Sequence, residues 1–256
     1  MPLDSYADYA DLYDLAYGHF TEDIPMYESF ARRCRGPVLE LGVGTGRVAL
    51  ALARAKIGVV GIDSSESMLA RARAKTGRVL ARRLELVEAD MRDFDLGRQF
   101  ELAICAASGF HHLLTTDDQV RCLDCVRRHL APGGIFVADM RSLAAVGWDE
   151  PALAVLEWVR TDPDTGDTVS KTVSLRGDGA TQVLHVTHIY DRTDPSGGPK
   201  ERRTLEFDLR IVGRYEAELL LEKAGLELTH VYGDHDLGPY TRDSERMILV
   251  ARRSAE

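Results

Sequence analysis

The stretch Val38-Leu39-Glu40-Leu41-Gly42-Val43-Gly44-Thr45-Gly46 decides the fold. Val38–Leu41 is a short apolar run and reads as a buried strand. Arg47–Ala55 has a helical apolar period, so the glycines lie between a strand and a helix. Glycine there lets the chain turn sharply and lets a ligand approach the backbone. The helix beyond offers free N–H groups at its start. Dinucleotide-binding folds use a similar turn, with spacing G-x-G-x-x-G. Begun at Gly42, that spacing needs glycine at position 47, where Arg47 stands. The series here is G-x-G-x-G, preceded by the acid Glu40.

Outward from this turn, apolar runs alternate with helical segments. Strands are expected at Ile57–Ile62, Leu84–Ala89, Phe100–Ala106 and Ile135–Met140. Helices are expected at Glu66–Ala74 and Gln119–Leu130, and Pro132-Gly133-Gly134 reads as the turn that ends the second. Such alternation implies a parallel sheet covered on both faces. The rhythm breaks near Trp148. Ala154–Arg160, Thr168–Leu175, Gln182–Asp191 and Arg203–Val212 are β-rich and separated by turn signals, an antiparallel meander. Glu216–Ala224 returns to helix, and Leu226–Tyr232 and Glu245–Ala251 close the chain as strands. The expected fold class is α/β: a Rossmann-like, seven-stranded, mostly parallel sheet with helices on both faces, plus an inserted antiparallel sheet. The division is 1–35 as an N-terminal helical lid, 36–147 with 215–256 as the core, and 148–214 as the insertion. Tyr6, Tyr9, Tyr13 and Tyr17 recur every three or four residues and share one face of a helix.

Two acids stand at strand ends. Val59-Val60-Gly61-Ile62-Asp63 ends in a carboxylate suited to a ribose diol. Glu88-Ala89-Asp90-Met91 ends the third strand, where an aspartate can accept from an adenine amino group. With ELGVGTG, GID before SSESMLARAR, EADMRDF and LAPGG in this order, the sequence resembles the class I S-adenosylmethionine-dependent methyltransferases. The likeness covers residues 36–140 and 215–252. The tyrosine-rich start (YADLYDLAY), the inserted sheet and the ending YGDHDLGPYTRDSERMILVA are similar to bacterial small-molecule members, including the amino-sugar N,N-dimethyltransferases.

The resemblance implies S-adenosylmethionine as cofactor and S-adenosylhomocysteine as product. It sets Gly42, Gly44 and Gly46 against the methionine portion, with Glu40 in the same cofactor-binding set. Asp63 holds the ribose, Ser64 and Met68 flank the adenosine, and Asp90 and Met91 meet the adenine. Ala106 offers its carbonyl to the amino group, and Tyr13, ahead of Tyr17, closes over the cofactor. Core packing explains Met68 equally well. Relatives often carry an asparagine-containing stretch after the fourth strand, where this chain has Ser108-Gly109-Phe110-His111-His112-Leu113-Leu114.

A sulfonium methyl is already activated, so the protein must align an acceptor and exclude water. A base helps where the acceptor is a hydroxyl or protonated amine. His111 and His112 are the candidates, His111 first; packing or capping is the plain alternative. His185 and His188, three apart in a strand, point to opposite faces and do not converge on a metal. Cys122 and Cys125 sit on a helical period without further ligands, so no metal site is expected. Tyr240 and Arg242 belong to a loop that lies near the substrate entrance by family analogy, or is a plain turn.

The bulk numbers fit. The chain has 256 residues, 45% hydrophobic, enough for a sizeable core. A net charge of -9 repels a nucleic acid. No apolar run reaches membrane-spanning length and no secretory signal is visible, so a cytoplasmic protein is expected. The expected partner is a small-molecule methyl acceptor, with no nucleic acid or membrane, and the chain a monomer or homodimer. Three other readings stay open: an RNA or protein methyltransferase of the same fold, a cofactor-binding member that does not methylate, and a nicotinamide-dependent oxidoreductase, against which Arg47 argues.

Overall fold

The computed structural model describes Tyr6 and residues 9–148 and 151–255. Two short helices come first, α1 (Ala10–Tyr17) and α2 (Ile24–Ala31). The sheet then begins with β1 (Val38–Leu41), buried at every residue because it pairs on both edges and is covered on both faces. There follow α3 (Arg47–Arg54), β2 (Val59–Asp63), α4 (Glu66–Leu80), β3 (Leu84–Glu88), β4 (Phe100–Cys105), α5 (Thr116–His129) and β5 (Leu130–Arg141). A second sheet holds β6 (Ala154–Thr161), β7 (Thr168–Asp178), β8 (Val183–Thr193) and β9 (Pro199–Arg210). The chain returns to the first sheet through α6 (Arg214–Lys223), β10 (Leu226–Tyr232) and β11 (Arg246–Arg253).

The main sheet has the order β10-β11-β5-β4-β1-β2-β3. Only β11 runs against its neighbours, so the sheet is mostly parallel, as the alternation of strands and helices predicts. Helices cover both faces. One core gathers Leu39, Leu41 and Phe136 under residues of α5 and α6 such as Leu123 and Leu220. The other gathers Val38, Leu102 and Ile104 under residues of α2, α3 and α4 such as Phe30, Leu52 and Leu69. The chain runs outward from β1 to β3 and then crosses back to β4. The β1–β4 gap is therefore the topological switch point, where open α/β sheets bind ligands.

Local chemistry sets the helix boundaries. Ser65 caps α4 by accepting from the Met68 N–H, and Thr115 caps α5 by accepting from the Asp118 N–H. α5 carries Asp117 and Asp118 in its first turn and Arg127, Arg128 and His129 in its last, which suits the helix dipole. α4 outlasts its expected end and breaks only at Gly77. Pro132-Gly133-Gly134 is not a turn ahead of a strand. It lies within β5, as an irregular stretch opposite a register slip between Phe100 and Leu102. Two short helices, α1 and α2, stand where a single helical face is expected, and α1 takes in Tyr13 and Tyr17 of the tyrosine repeat.

The second sheet is antiparallel, in the order β6-β7-β8-β9. Along β8, Leu184, Val186, His188 and Tyr190 face inward, so His185 and His188 do point to opposite sides. Tyr190 and Val169 receive Leu12 of α1.

Gly61 explains the GID stretch. A β-carbon there would lie 2.6 Å from the Val43 side chain, which crosses over β2 as the glycine turn leaves β1. Gly61→Ala is expected to destabilise the fold by about 1–3 kcal/mol, the usual cost of overpacking. Urea unfolding checks this, and an unchanged midpoint would show that the turn can slide away from β2.

Candidate active site

The glycine turn is held open by hydrogen bonds that leave its outer surface bare. Gly42, Gly44 and Gly46 all have positive φ. A side chain on Gly44 would meet no atom within 4 Å, so its free side faces open space. Gly46 instead starts α3 and packs on Ala72 and Leu50. The Gly44 N–H donates to Asp63 Oδ2 at 2.7 Å, and Asp63 Oδ1 accepts from the Ser65 N–H at 2.9 Å. One carboxylate thus joins the turn after β1 to the turn after β2.

These turns border a cleft of about 460 Å³ at the C-terminal ends of the strands. That size lies within the usual range for a small-molecule site. Of the sequence candidates, Tyr13, Glu40, Gly42, Gly44, Asp63, Ser64, Met68, Asp90, Met91, Ala106 and His112 line it. A shallower depression of about 760 Å³ lies around Pro37 and Gly58, at the opposite ends of the strands and away from these polar groups.

Glu40 sits at the floor, 2% exposed. Glu40 lines the cleft, and its buried Oε2 has no hydrogen-bond partner among the described residues. Burial pushes its carboxyl up to about 8, against the pull of Arg47. Arg47 is committed elsewhere. Its guanidinium grips Asp23 at 2.6 Å through both Nη atoms and the Phe20 carbonyl at 2.9 Å. It thereby ties the loop before α2 to α3. Asp90 is also engaged: Arg92 holds it at 2.6 Å and keeps its carboxyl below the ordinary range. The Ala106 carbonyl accepts from the Gly109 N–H at 2.9 Å, which leaves its second lone pair available. Ala107 and Ser108 adopt left-handed φ of 49° and 65°, a strained turn that the Asp139 carbonyl fixes by accepting from the Ser108 N–H at 2.8 Å.

The two loop histidines part company. His111 is fully buried and does not line the cleft. Its Nδ1 lies 2.7 Å from the Arg210 carbonyl and its Nε2 3.2 Å from the Arg141 carbonyl. The expectation that His111 leads the acceptor chemistry is therefore corrected: it joins the end of β9 to the end of β5. Burial pushes its pKa down to about 4, so the ring is neutral, and the shorter contact assigns its proton to Nδ1. His112 does face the cleft, beside Tyr6. Its Nε2 is 3.4 Å from the Tyr6 hydroxyl and its ring 5.6 Å from that of Phe207 on β9. Burial also brings its pKa down to about 4.

Sequence reasoning missed Tyr6, Arg47, Arg92 and Asp118 as cleft residues. No local pattern marks them, because Arg47–Asp23 and Arg92–Asp118 pair across 24 and 26 residues. The tyrosine face divides: Tyr6 and Tyr13 line the cleft, while the Tyr9 hydroxyl donates to the Thr204 carbonyl on β9. Tyr240 does not line the cleft; its hydroxyl meets Ser142 Oγ at 3.0 Å. Cys122 and Cys125 are core residues of α5. Among the described residues no group of three or more His, Cys, Asp or Glu side chains is placed to hold a metal ion.

The geometry has counterparts in known proteins. A family model described as a methyltransferase domain matches residues 38–134. Cypemycin N-terminal methyltransferase of a Streptomyces species is 30% identical over 223 residues, which cover 84% of this chain and 82% of the relative. The chain belongs to the S-adenosylmethionine-dependent methyltransferases. The enzyme is also 28% identical to dTDP-3-amino-3,4,6-trideoxy-alpha-D-glucopyranose N,N-dimethyltransferase of Streptomyces venezuelae, over 88% of this chain and 93% of that one. The CcbJ methyltransferase of Streptomyces caelestis superposes with a TM-score of 0.78 at 28% identity, covering 96% and 98% of the two chains. The cleft fits the cofactor, since a buried carboxyl with one unpartnered oxygen, a glycine turn open at Gly44 and two strand-end acids line it.

Glu40 gives a test of the site in the cofactor-free enzyme. Its pKa is raised in the folded state from 4.5 to about 8, so its contribution to stability is full below 4.5 and is lost as pH rises through about 8. Glu40→Gln is expected to flatten this loss, with a higher thermal midpoint than the parent at pH 9 and a smaller difference at pH 6. A midpoint lower than the parent's at both pH values would mean that the carboxylate has a partner in the folded chain.

Proposed function

We propose that the enzyme methylates the nitrogen of a small amine, using S-adenosylmethionine held in the cleft between β1 and β4. When bound, the cofactor supplies a methyl group already activated on a sulfonium. The observation that carries the nitrogen assignment is His112. It is the imidazole that lines the cleft, and its pKa near 4 makes it too weak a base to ionise an alcohol. A neutral imidazole serves a neutral amine well, because it can accept the amine's N–H hydrogen bond and hold the lone pair in line. The aromatic rings of Tyr6 and Phe207 beside it offer an apolar wall.

On the cofactor side, we assign the unpartnered Glu40 carboxylate and the Ala106 carbonyl to the methionine ammonium. Gly42 and Gly44 give the methionine chain close access to backbone, and Gly46 orients α3 behind them. Asp63, at the cleft edge, faces the ribose hydroxyls. Ser64, Met68 and Met91 border the adenosine, and Asp90, steadied by Arg92, meets the adenine. Tyr13 covers the cleft from α1. In this reading residues 1–35 act as a lid and 148–214 supply the acceptor-side wall. The four cysteines are free thiols, which suits a cytoplasmic enzyme. The names of two relatives, the dTDP-amino-sugar N,N-dimethyltransferase and the cypemycin N-terminal methyltransferase, support an amine acceptor.

Release of S-adenosylhomocysteine, measured against aminosugars, amino acids and phenols, tests the proposal. Turnover is expected with amines and not with phenols. His112→Ala is expected to lower kcat/KM about tenfold or more through lost alignment, with cofactor affinity unchanged. The acid limb of activity should follow the amine's own pKa, because His112 takes its proton only near pH 4. Turnover confined to phenols, or an unchanged rate in His112→Ala, would overturn it.

A further inference from the structure

Lys171 is a buried charge that methyl transfer does not use. It lies in β7 and its side chain is 1% exposed. An ammonium so placed is costly unless it is paired and hydrogen-bonded. Its Nζ lies 2.7 Å from Glu157 Oε2 on β6 and donates to the Tyr17 hydroxyl at 2.9 Å. Burial lowers its pKa, while the bond to Glu157 opposes the shift.

Tyr17 is the last residue of α1 and does not line the cleft. Its ring centroid is 4.9 Å from that of Tyr13, which does. Direct contacts therefore run from the inserted sheet to the cofactor cleft, through Lys171, Tyr17 and Tyr13. α1 has only eight residues, too few to stand alone as a helix in water. Its position depends on what grips it. The second sheet does so extensively: Leu12 packs on Val169 and Tyr190, Arg160 donates to the Leu15 and Ala16 carbonyls at the helix end, and Arg203 pairs with Asp11 at 3.0 Å. The core side grips through Asp14, which receives Thr45 Oγ1 at 2.6 Å and Lys75 Nζ at 2.7 Å. Lys75 and Asp14 are partly exposed, so that ion pair is screened by water, whereas Lys171 is sealed.

We propose that Lys171 is a positioning residue of the cofactor site. Through the Tyr17 hydroxyl it fixes the Tyr13 ring at the cleft wall, so the inserted sheet and the cofactor's cover act as one unit. The same sheet places Phe207 beside His112, so the acceptor's wall and the cofactor's cover share one support.

Calorimetric titration with S-adenosylhomocysteine tests this without knowledge of the acceptor. Lys171→Met and Tyr17→Phe are each expected to weaken binding about tenfold, and the double variant no more than Lys171→Met alone, because Lys171→Met already removes the hydrogen bond that Tyr17→Phe breaks. Lys171→Arg keeps a donor and should restore most of the affinity. In turnover the loss should fall on KM for S-adenosylmethionine more than on kcat. Wild-type affinity in a folded Lys171→Met chain, or losses that add in the double variant, would overturn the proposal. If Lys171→Met does not fold, Tyr17→Phe decides alone, and an unchanged affinity there overturns it equally. A wild-type chain that does not bind S-adenosylhomocysteine would count against the cofactor assignment itself.

Discussion

The Asp63 carboxylate accepts one N–H from Gly44 and another from Ser65, and the rest of the site is arranged around that pair of bonds. Each bond ties a turn that follows a parallel strand. The Val43 N–H adds a third tie to β2, donating to the Ile62 carbonyl at 2.9 Å. With them the glycine turn is fixed relative to the strand end that carries the acid. Gly61 makes the same junction sterically, since only a missing side chain lets Val43 lie on β2. Hydrogen bonding and packing thus hold one short stretch of backbone, and its bare side is left to a ligand.

Around this junction the titratable groups sort by what surrounds them. Asp63 and Asp90 each have donors, and Arg92 holds the Asp90 carboxyl below its ordinary range. Glu40, with one oxygen unpartnered in a dry floor, is pushed up to about 8. His111 and His112 are pushed down to about 4 by the same loss of water. Desolvation penalises whichever form is charged, so it moves acids up and imidazoles down. The cleft is thereby left with a neutral imidazole and a carboxyl that gives up its proton only near pH 8.

The second sheet has a mechanical part in the enzyme. It meets the core through His111, whose ring spans the ends of β9 and β5. It also meets the cofactor side through α1, which lies between the sheet's Lys171 and Arg160 and the core's Thr45 and Lys75. A helix of two turns cannot hold its own place, so its aromatic residues are set by both neighbours.

The sequence by itself determined the order of strands and helices, the glycine turn with its two strand-end acids, and the separate antiparallel meander. Those features are local: alternation, turn residues and short spacing are written within a few residues of each other. That is why Asp63 and Asp90 could be read from the strand ends; Met68 and Ala106 came from the family resemblance, and all four line one cleft. Only the tertiary structure decided between His111 and His112. They are adjacent in sequence, and the 3₁₀ turn Gly109–His112 sends one ring into the interior and the other to the cleft. Arg47, Tyr6 and Lys171 were equally illegible. Their roles come from partners 24 to 154 residues away, and contacts at that separation exist only once the chain has closed on itself.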